Sequence, residues 1–103
     1  MDLRTVDTAL IVSDLPELTA TNAPETKKQV REAIKDSHNR VDFDLSKTTF
    51  LDSSGLGVLI GLHKTMASKS GSIRIVNPSQ NVQQVLELTR LHRLFEIATT
   101  EPQ

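Results

Sequence analysis

The chain has 103 residues, 37% of them hydrophobic and 24% charged, which is the make-up of one small folded domain and excludes a disordered chain. Lys and Arg number 12 against 13 Asp and Glu, and only three residues are aromatic, so the chain has neither the positive field nor the stacking surface of a nucleic-acid binder. Cysteine is absent, which removes disulfides, zinc fingers and thiol catalysis.

Met1-Asp2-Leu3-Arg4 leads into no apolar signal segment and no run approaches spanning length, so a cytoplasmic protein without membrane insertion is expected. Leu3 to Val6 suits a short strand, Asp7-Thr8 a tight turn, and Ala9 to Val12 a second strand. A hairpin is the simplest join for runs this close. Pro16, Glu17 and Leu18 then open a loop that runs through the polar stretch Thr19 to Asn22. Asn22 can cap a helix, Pro24 suits its first turn, and Glu25 stands where a capping box places it. The helix is expected from Ala23 to Lys35, with Val30, Ala33 and Ile34 buried and Lys27, Lys28, Arg31 and Glu32 solvated.

Val41-Asp42-Phe43-Asp44-Leu45 alternates cleanly, so a strand is expected with both carboxylates in solvent. Lys47 and Thr48 form a crossing, and Phe50-Leu51 enters the Asp52-Ser53-Ser54 corner. A second helix follows from Gly55 to Ser68, its apolar arc built from Leu56, Val58, Leu59, Ile60 and Leu62, with Gly71 placed to stop it. Ile73 to Val76 is a strand, Ser79 caps a third helix from Gln80 to Thr89, and Leu94 to Thr99 is a last strand before a polar, frayed tail from Thr100 to Gln103. After the opening hairpin the order is βαβαβαβ, which predicts an α/β domain with a small, mostly parallel sheet and right-handed crossovers.

The Asp52-Ser53-Ser54 corner has an ordinary explanation, since Ser and Asp are the preferred helix caps. Two features exceed it. Two adjacent serines stand beside one carboxylate, and Gly55 and Gly57 occupy the first helical turn, where each costs about 1 kcal/mol relative to Ala. Something is therefore expected to approach that backbone closely. A phosphate on Ser54 would add about −1.5 to −2 charges beside the positive end of the helix, which the fold tolerates. A partner packed against the same hydroxyl would meet a dianion whose desolvation costs several kcal/mol. Ser54 is thus expected to be a switch that blocks an interface without refolding the chain.

Enzymatic readings are weaker. Gly-x-Ser-x-Gly is absent, Ile60 stands where a dinucleotide fingerprint needs its third Gly, and there is no Walker A sequence. His38, His63 and His92 have no metal-ligand spacing, and His63 reads as a packing or surface residue. No cofactor and no catalysis are expected.

Asp42-Phe43-Asp44-Leu45-Ser46, with Phe50 to Leu59, resembles the STAS domain of bacterial anti-sigma factor antagonists. Asn77-Pro78-Ser79 and Leu88-Thr89-Arg90-Leu91, leading to Leu94-Phe95-Glu96-Ile97, are similar to the same family. The likeness covers essentially the whole chain, as a single STAS domain. It implies a partner switch. The unphosphorylated antagonist binds an anti-sigma factor that is itself a serine kinase, and so frees a sigma factor. Phosphorylation of the second Ser of the motif, here Ser54, breaks the complex, and a serine phosphatase resets it. The protein is then a substrate and a monomer or weak dimer, not an enzyme. The expected partner surface is Asp52, Ser53, Ser54, Gly55, Leu56, Gly57 and Thr19. Asp52 would orient the hydroxyl, Ser53 would cap or flank, and the two glycines would admit the partner.

Two departures from the family stand out. The family often has Gly-x-Leu-Asp after its second strand, with the Asp in partner contact, and this chain has Pro16-Glu17-Leu18-Thr19. The family usually ends in a further helix, and here the sequence stops at Gln103, so that helix is expected to be missing or very short. An alternative role is an accessory STAS subunit of a lipid or anion transporter, or of another signalling complex.

Overall fold

Alternating apolar residues set the sheet in the computed structural model, which describes residues 1–100. β1 (Asp2–Val6) and β2 (Ala9–Ser13) form the expected hairpin, turning at Asp7, whose φ is 53°. β4 (Arg40–Asp44), β6 (Ser72–Val76) and β7 (Glu96–Ala98) add in parallel, giving the order β1-β2-β4-β6-β7. Two short strands unforeseen in the sequence, β3 (Glu17–Leu18) and β5 (Phe50–Leu51), pair in parallel as a separate ribbon. Residues this short carry no period to read, and only their pairing makes them strands.

Leu10, Val12, Val41, Phe43, Ile73 and Ile75 point to one face of the sheet and are buried against the helices. Those helices are α1 (Ala23–Ala33), α2 (Ser53–Ala67) and α3 (Gln80–Leu88). α2 supplies most of the helical core through Leu56, Val58, Leu59, Leu62 and Met66. Each fully buried Leu contributes about 1.5–3 kcal/mol relative to exposure. His63 is half-buried with its ring edge-on to Phe95, the centroids 5.8 Å apart, so it packs as expected.

Several local expectations need correction. Asn22 does not cap α1 with its side chain; its Oδ1 accepts the Thr19 N–H and its Nδ2 donates to the Glu17 carbonyl, so it closes the preceding loop instead. Glu25 reaches forward to Gln29 and forms no capping box. α1 ends at Ala33, short of Lys35, because Ile34 turns extended and His38 Nδ1 captures the Lys35 N–H. The buried stripe is Ala23, Thr26 and Val30, with Ala33 and Ile34 only half-buried. Ser70, not Gly71, takes the left-handed conformation after α2, at φ 62°. Residues Leu91–Arg93 form a 3₁₀ turn, so the last strand shrinks to three residues and Phe95 enters the core ahead of it. Thr100 is tied to Asn77 by two hydrogen bonds of 2.8 Å, so the chain is held one residue further than expected. No helix follows β7 among the described residues, and the remainder of the expected tail, residues 101–103, lies outside them.

His38 makes stability depend on pH. It is 1% exposed, Nδ1 accepts from Lys35, and the neutral ring therefore donates from Nε2 to Thr5 Oγ1 at 3.0 Å. Burial, then the nearby charges of Lys35 and Lys69, push its pKa below the ordinary 6.5. The unfolded chain therefore takes up this proton first as pH falls, and acid favours unfolding. Stability should be level above about pH 7, then decline from about 6.5 down to the lowered folded value. Urea midpoints across pH 5 to 8 check this. A His38→Gln variant should start less stable and lose the decline in that window.

Candidate functional site

The corner before α2 is built by Asp52. Its extended backbone delivers the chain into the helix, and its carboxylate Oδ1 accepts the Gly55 N–H at 2.9 Å. The other oxygen, Oδ2, accepts the Ala20 N–H at 3.0 Å, which ties the loop before α1 to the start of α2. These two bonds, that from Gly55 foremost, hold the carboxyl below the usual carboxylate range, so Asp52 stays ionised at neutral pH. Asp52 is therefore the cap, whereas Ser53, expected to cap or flank, is the first residue of the helix itself and Ser54 the second. Relieved of capping, both are exposed.

Gly55 and Gly57 separate in role. Gly55 is buried, and a Cβ there would run into the Leu18 carbonyl oxygen and lie 2.8 Å from Leu51 Cδ1. The close approach foreseen at Gly55 is thus made by the chain's own β3, which is the correction to its expected use by a partner. Leu56 likewise points into the core, at 9% exposure. Gly57 is exposed, with nothing within 4 Å of where a Cβ would stand.

Thr19 is half-buried beside this corner, and its hydroxyl donates to Glu17 Oε1 at 2.9 Å. Its carbonyl accepts from Asn22 and Ala23, so it organises the loop that Asp52 holds through Ala20. The structure thus gathers Thr19, Asp52, Ser53, Ser54 and Gly57 at one rim, with Gly55 and Leu56 beneath it.

Sequence reasoning missed Phe50, whose side chain is 67% exposed one strand residue before the half-buried Leu51. The alternation of a two-residue strand was too short to show it. β5 itself is fastened on the other side: Thr49 donates to the Pro16 carbonyl through both its N–H and its hydroxyl, and Asn81 donates to the Thr49 carbonyl. Buried Thr48 donates to Leu15 at 2.6 Å and accepts from the Ser79 hydroxyl at 2.6 Å. The rim therefore stands on a rigid base. Among the described residues no cluster of three or more His, Asp or Glu could hold a metal, and no helix is long and apolar enough to cross a membrane.

Comparison with known proteins fits this geometry. The STAS domain family pattern matches residues 1–103. A protein of Thermotoga maritima, named as a candidate anti-sigma factor antagonist, is 34% identical over 96 residues, covering 92% of this chain and 85% of its own. An anti-sigma-B factor antagonist of Listeria monocytogenes is 29% identical over 90 residues, covering 82% of this chain and 75% of its own. The crystal structure of a Thermotoga maritima protein, again a candidate anti-sigma factor antagonist, superposes with a TM-score of 0.89 at 32% identity, covering 96% of this chain and 86% of that one.

Proposed function

The chain belongs to the STAS domain family, and on that premise we propose that it is an anti-sigma factor antagonist switched by phosphorylation of Ser54. Unphosphorylated, it binds an anti-sigma factor with serine kinase activity and so releases a sigma factor. Phosphorylated, it lets that partner go, and a serine phosphatase restores it. The names of its relatives support the antagonist role. The observation that carries the switch is the position of Ser54: an exposed hydroxyl in the first turn of a capped helix, beside the open backbone of Gly57.

Physical chemistry gives the direction. The helix start accommodates a new anion within the chain, so phosphorylation leaves the fold in place. A partner seated on Ser53, Ser54 and Gly57 must desolvate that anion, and each 1.4 kcal/mol of mismatch weakens binding about tenfold. Phe50, beside the rim, offers an aromatic contact of the kind that dominates interfaces. Thr19 replaces the acid common in the family, so partner contact there is by a neutral side chain.

The test pairs the protein with a serine-kinase anti-sigma factor of the same organism and ATP. Phosphate is expected on Ser54 alone, and Ser54→Ala should take none up while still binding. The Ser54-phosphorylated protein should bind at least tenfold more weakly than the unmodified one, by calorimetry. Phosphate on another residue, or equal affinity of the two forms, sinks the switch.

A further inference from the structure

A cavity of about 370 Å³ opens between the start of α1 and the start of α2, and it has Ser54 on one wall and Lys27 on the other. Ala20, Ala23, Pro24, Gly57 and Val58 complete its lining, so no long side chain other than Lys27 itself borders it. Lys27 is half-buried and lies flat on α2: a methyl on Gly61 would meet its Nζ at 2.6 Å and its Cε at 2.8 Å. It forms no ion pair among the described residues.

From this geometry we infer that Lys27 is the internal counter-charge of phosphorylated Ser54. The inference rests on the switch reading above and adds the residue that receives the phosphate. α1 and α2 each link parallel neighbours of the sheet, so they run side by side in the same direction. Ser54, the second residue of α2, therefore lies toward the shared N-terminal end of the two helices from the Lys27 ammonium. The ammonium now beside Gly61 has to travel about two helical turns, over the bare backbone of Gly57, to the phosphate oxygens. Flexible, with three donors on a long stem, lysine suits that movement better than arginine would. Lys28 and Arg31 continue the positive side of α1, with Glu32 among them, and Asp52 caps the helix that carries Ser54. Asp52 is spent on Gly55 and Ala20, so it opposes the phosphate charge equally whatever stands at position 27. The consequence is a phosphate folded onto its own protein, held as a dianion at neutral pH.

The test needs no kinase. Phosphoserine is placed at position 54 by encoded incorporation, and the second ionisation of its phosphate is followed by phosphorus NMR in wild type, Lys27→Met, Lys27→Gln and Lys27→Arg. The apparent pKa should be lower in wild type than in Met or Gln by about half a unit or more. Arg should keep most of the depression, and 1 M salt should shrink it. The same midpoint in wild type, Met and Gln overturns the inference. That result would leave the partner switch standing, since binding to the kinase is measured separately, and a failed switch would leave the titration readable.

Discussion

Gly55→Ala is expected to be among the most damaging single methyl additions in this chain. In a bare helix the change gains about 1 kcal/mol. Here the new methyl would meet the Leu18 carbonyl oxygen, the Leu18 carbonyl carbon at 2.8 Å and Leu51 Cδ1 at 2.8 Å. Two of these are backbone atoms of β3, which pairs with β5 and receives the Asp52 N–H on that same carbonyl. Making room means moving β3 away from α2 and dragging the Ala20 tie to Asp52 with it. Overpacking against side chains costs about 1–3 kcal/mol, and against fixed backbone the net loss should reach about 3 kcal/mol, even after the helix gain. For a domain of this size that lowers Tm by roughly 12–20 °C. Gly57→Ala is the internal control: its methyl meets nothing, so Tm should rise slightly while any partner needing that bare backbone binds less well. Equal melting of the two variants would show that β3 does not press on Gly55.

Much of this was legible in the residues. The period-two runs around Val41 and Ile73, and the apolar arc from Leu56 to Leu62, each carry enough repeats to fix type and inward face, and the structure places them as expected. The corner was legible as a place, because Asp, Ser and Gly cluster where an apolar helix begins. Its division of labour was not. Which of Asp52, Ser53 and Ser54 caps depends on where the chain turns extended, and that is set by β5 pairing with β3, 33 residues away in sequence. The role of Gly55 was hidden for the same reason, since its neighbour is Leu18. Lys27 read as part of a wet helix face because one sequence cannot show that α2 offers Gly57 and Gly61 along that flank.

Asp42 shows the limit most clearly. Alternation assigns it correctly to the face opposite Val41 and Phe43, and the inference of solvated charge then fails: it is 2% exposed. The cause lies across the strands. Register places Arg4, Ile11, Asp42, Arg74 and Glu96 in one row over all five strands, so charges alternate along the side of the sheet away from the helices. Arg74 donates to both Asp42 oxygens at 3.2 and 2.7 Å, and Arg40, two residues along the same strand, does so at 2.7 and 3.2 Å. Two guanidiniums cover one carboxylate and satisfy it fully, with no unpartnered buried side-chain polar atom left among the described residues. The pair holds the Arg74 guanidinium above its ordinary range, chiefly through the hydrogen bonds that it donates to Asp42.

Removing that carboxylate should therefore cost more than removing either arginine. Asp42→Ala leaves two cations facing each other over an empty place in the row, one on β4 and one on β6. Breaking a fully buried pair from one side costs about 3–5 kcal/mol. The Arg40 and Arg74 side chains keep 37% and 22% exposure, so they can turn partly to water, and the expected loss drops to about 2–3 kcal/mol. Arg40→Ala or Arg74→Ala each leaves Asp42 with one bidentate partner and should cost about 1 kcal/mol. Urea midpoints at constant slope give all three values. β4 leads through Leu45 toward the Ser54 corner, yet the corner is fastened by its own bonds to Leu15, Pro16 and Ala20. Asp42→Ala held well below its melting temperature should thus still bind as the wild type does. A loss below about 0.5 kcal/mol in stability would mean the two arginines repel too little for the row to hold β4 against β6.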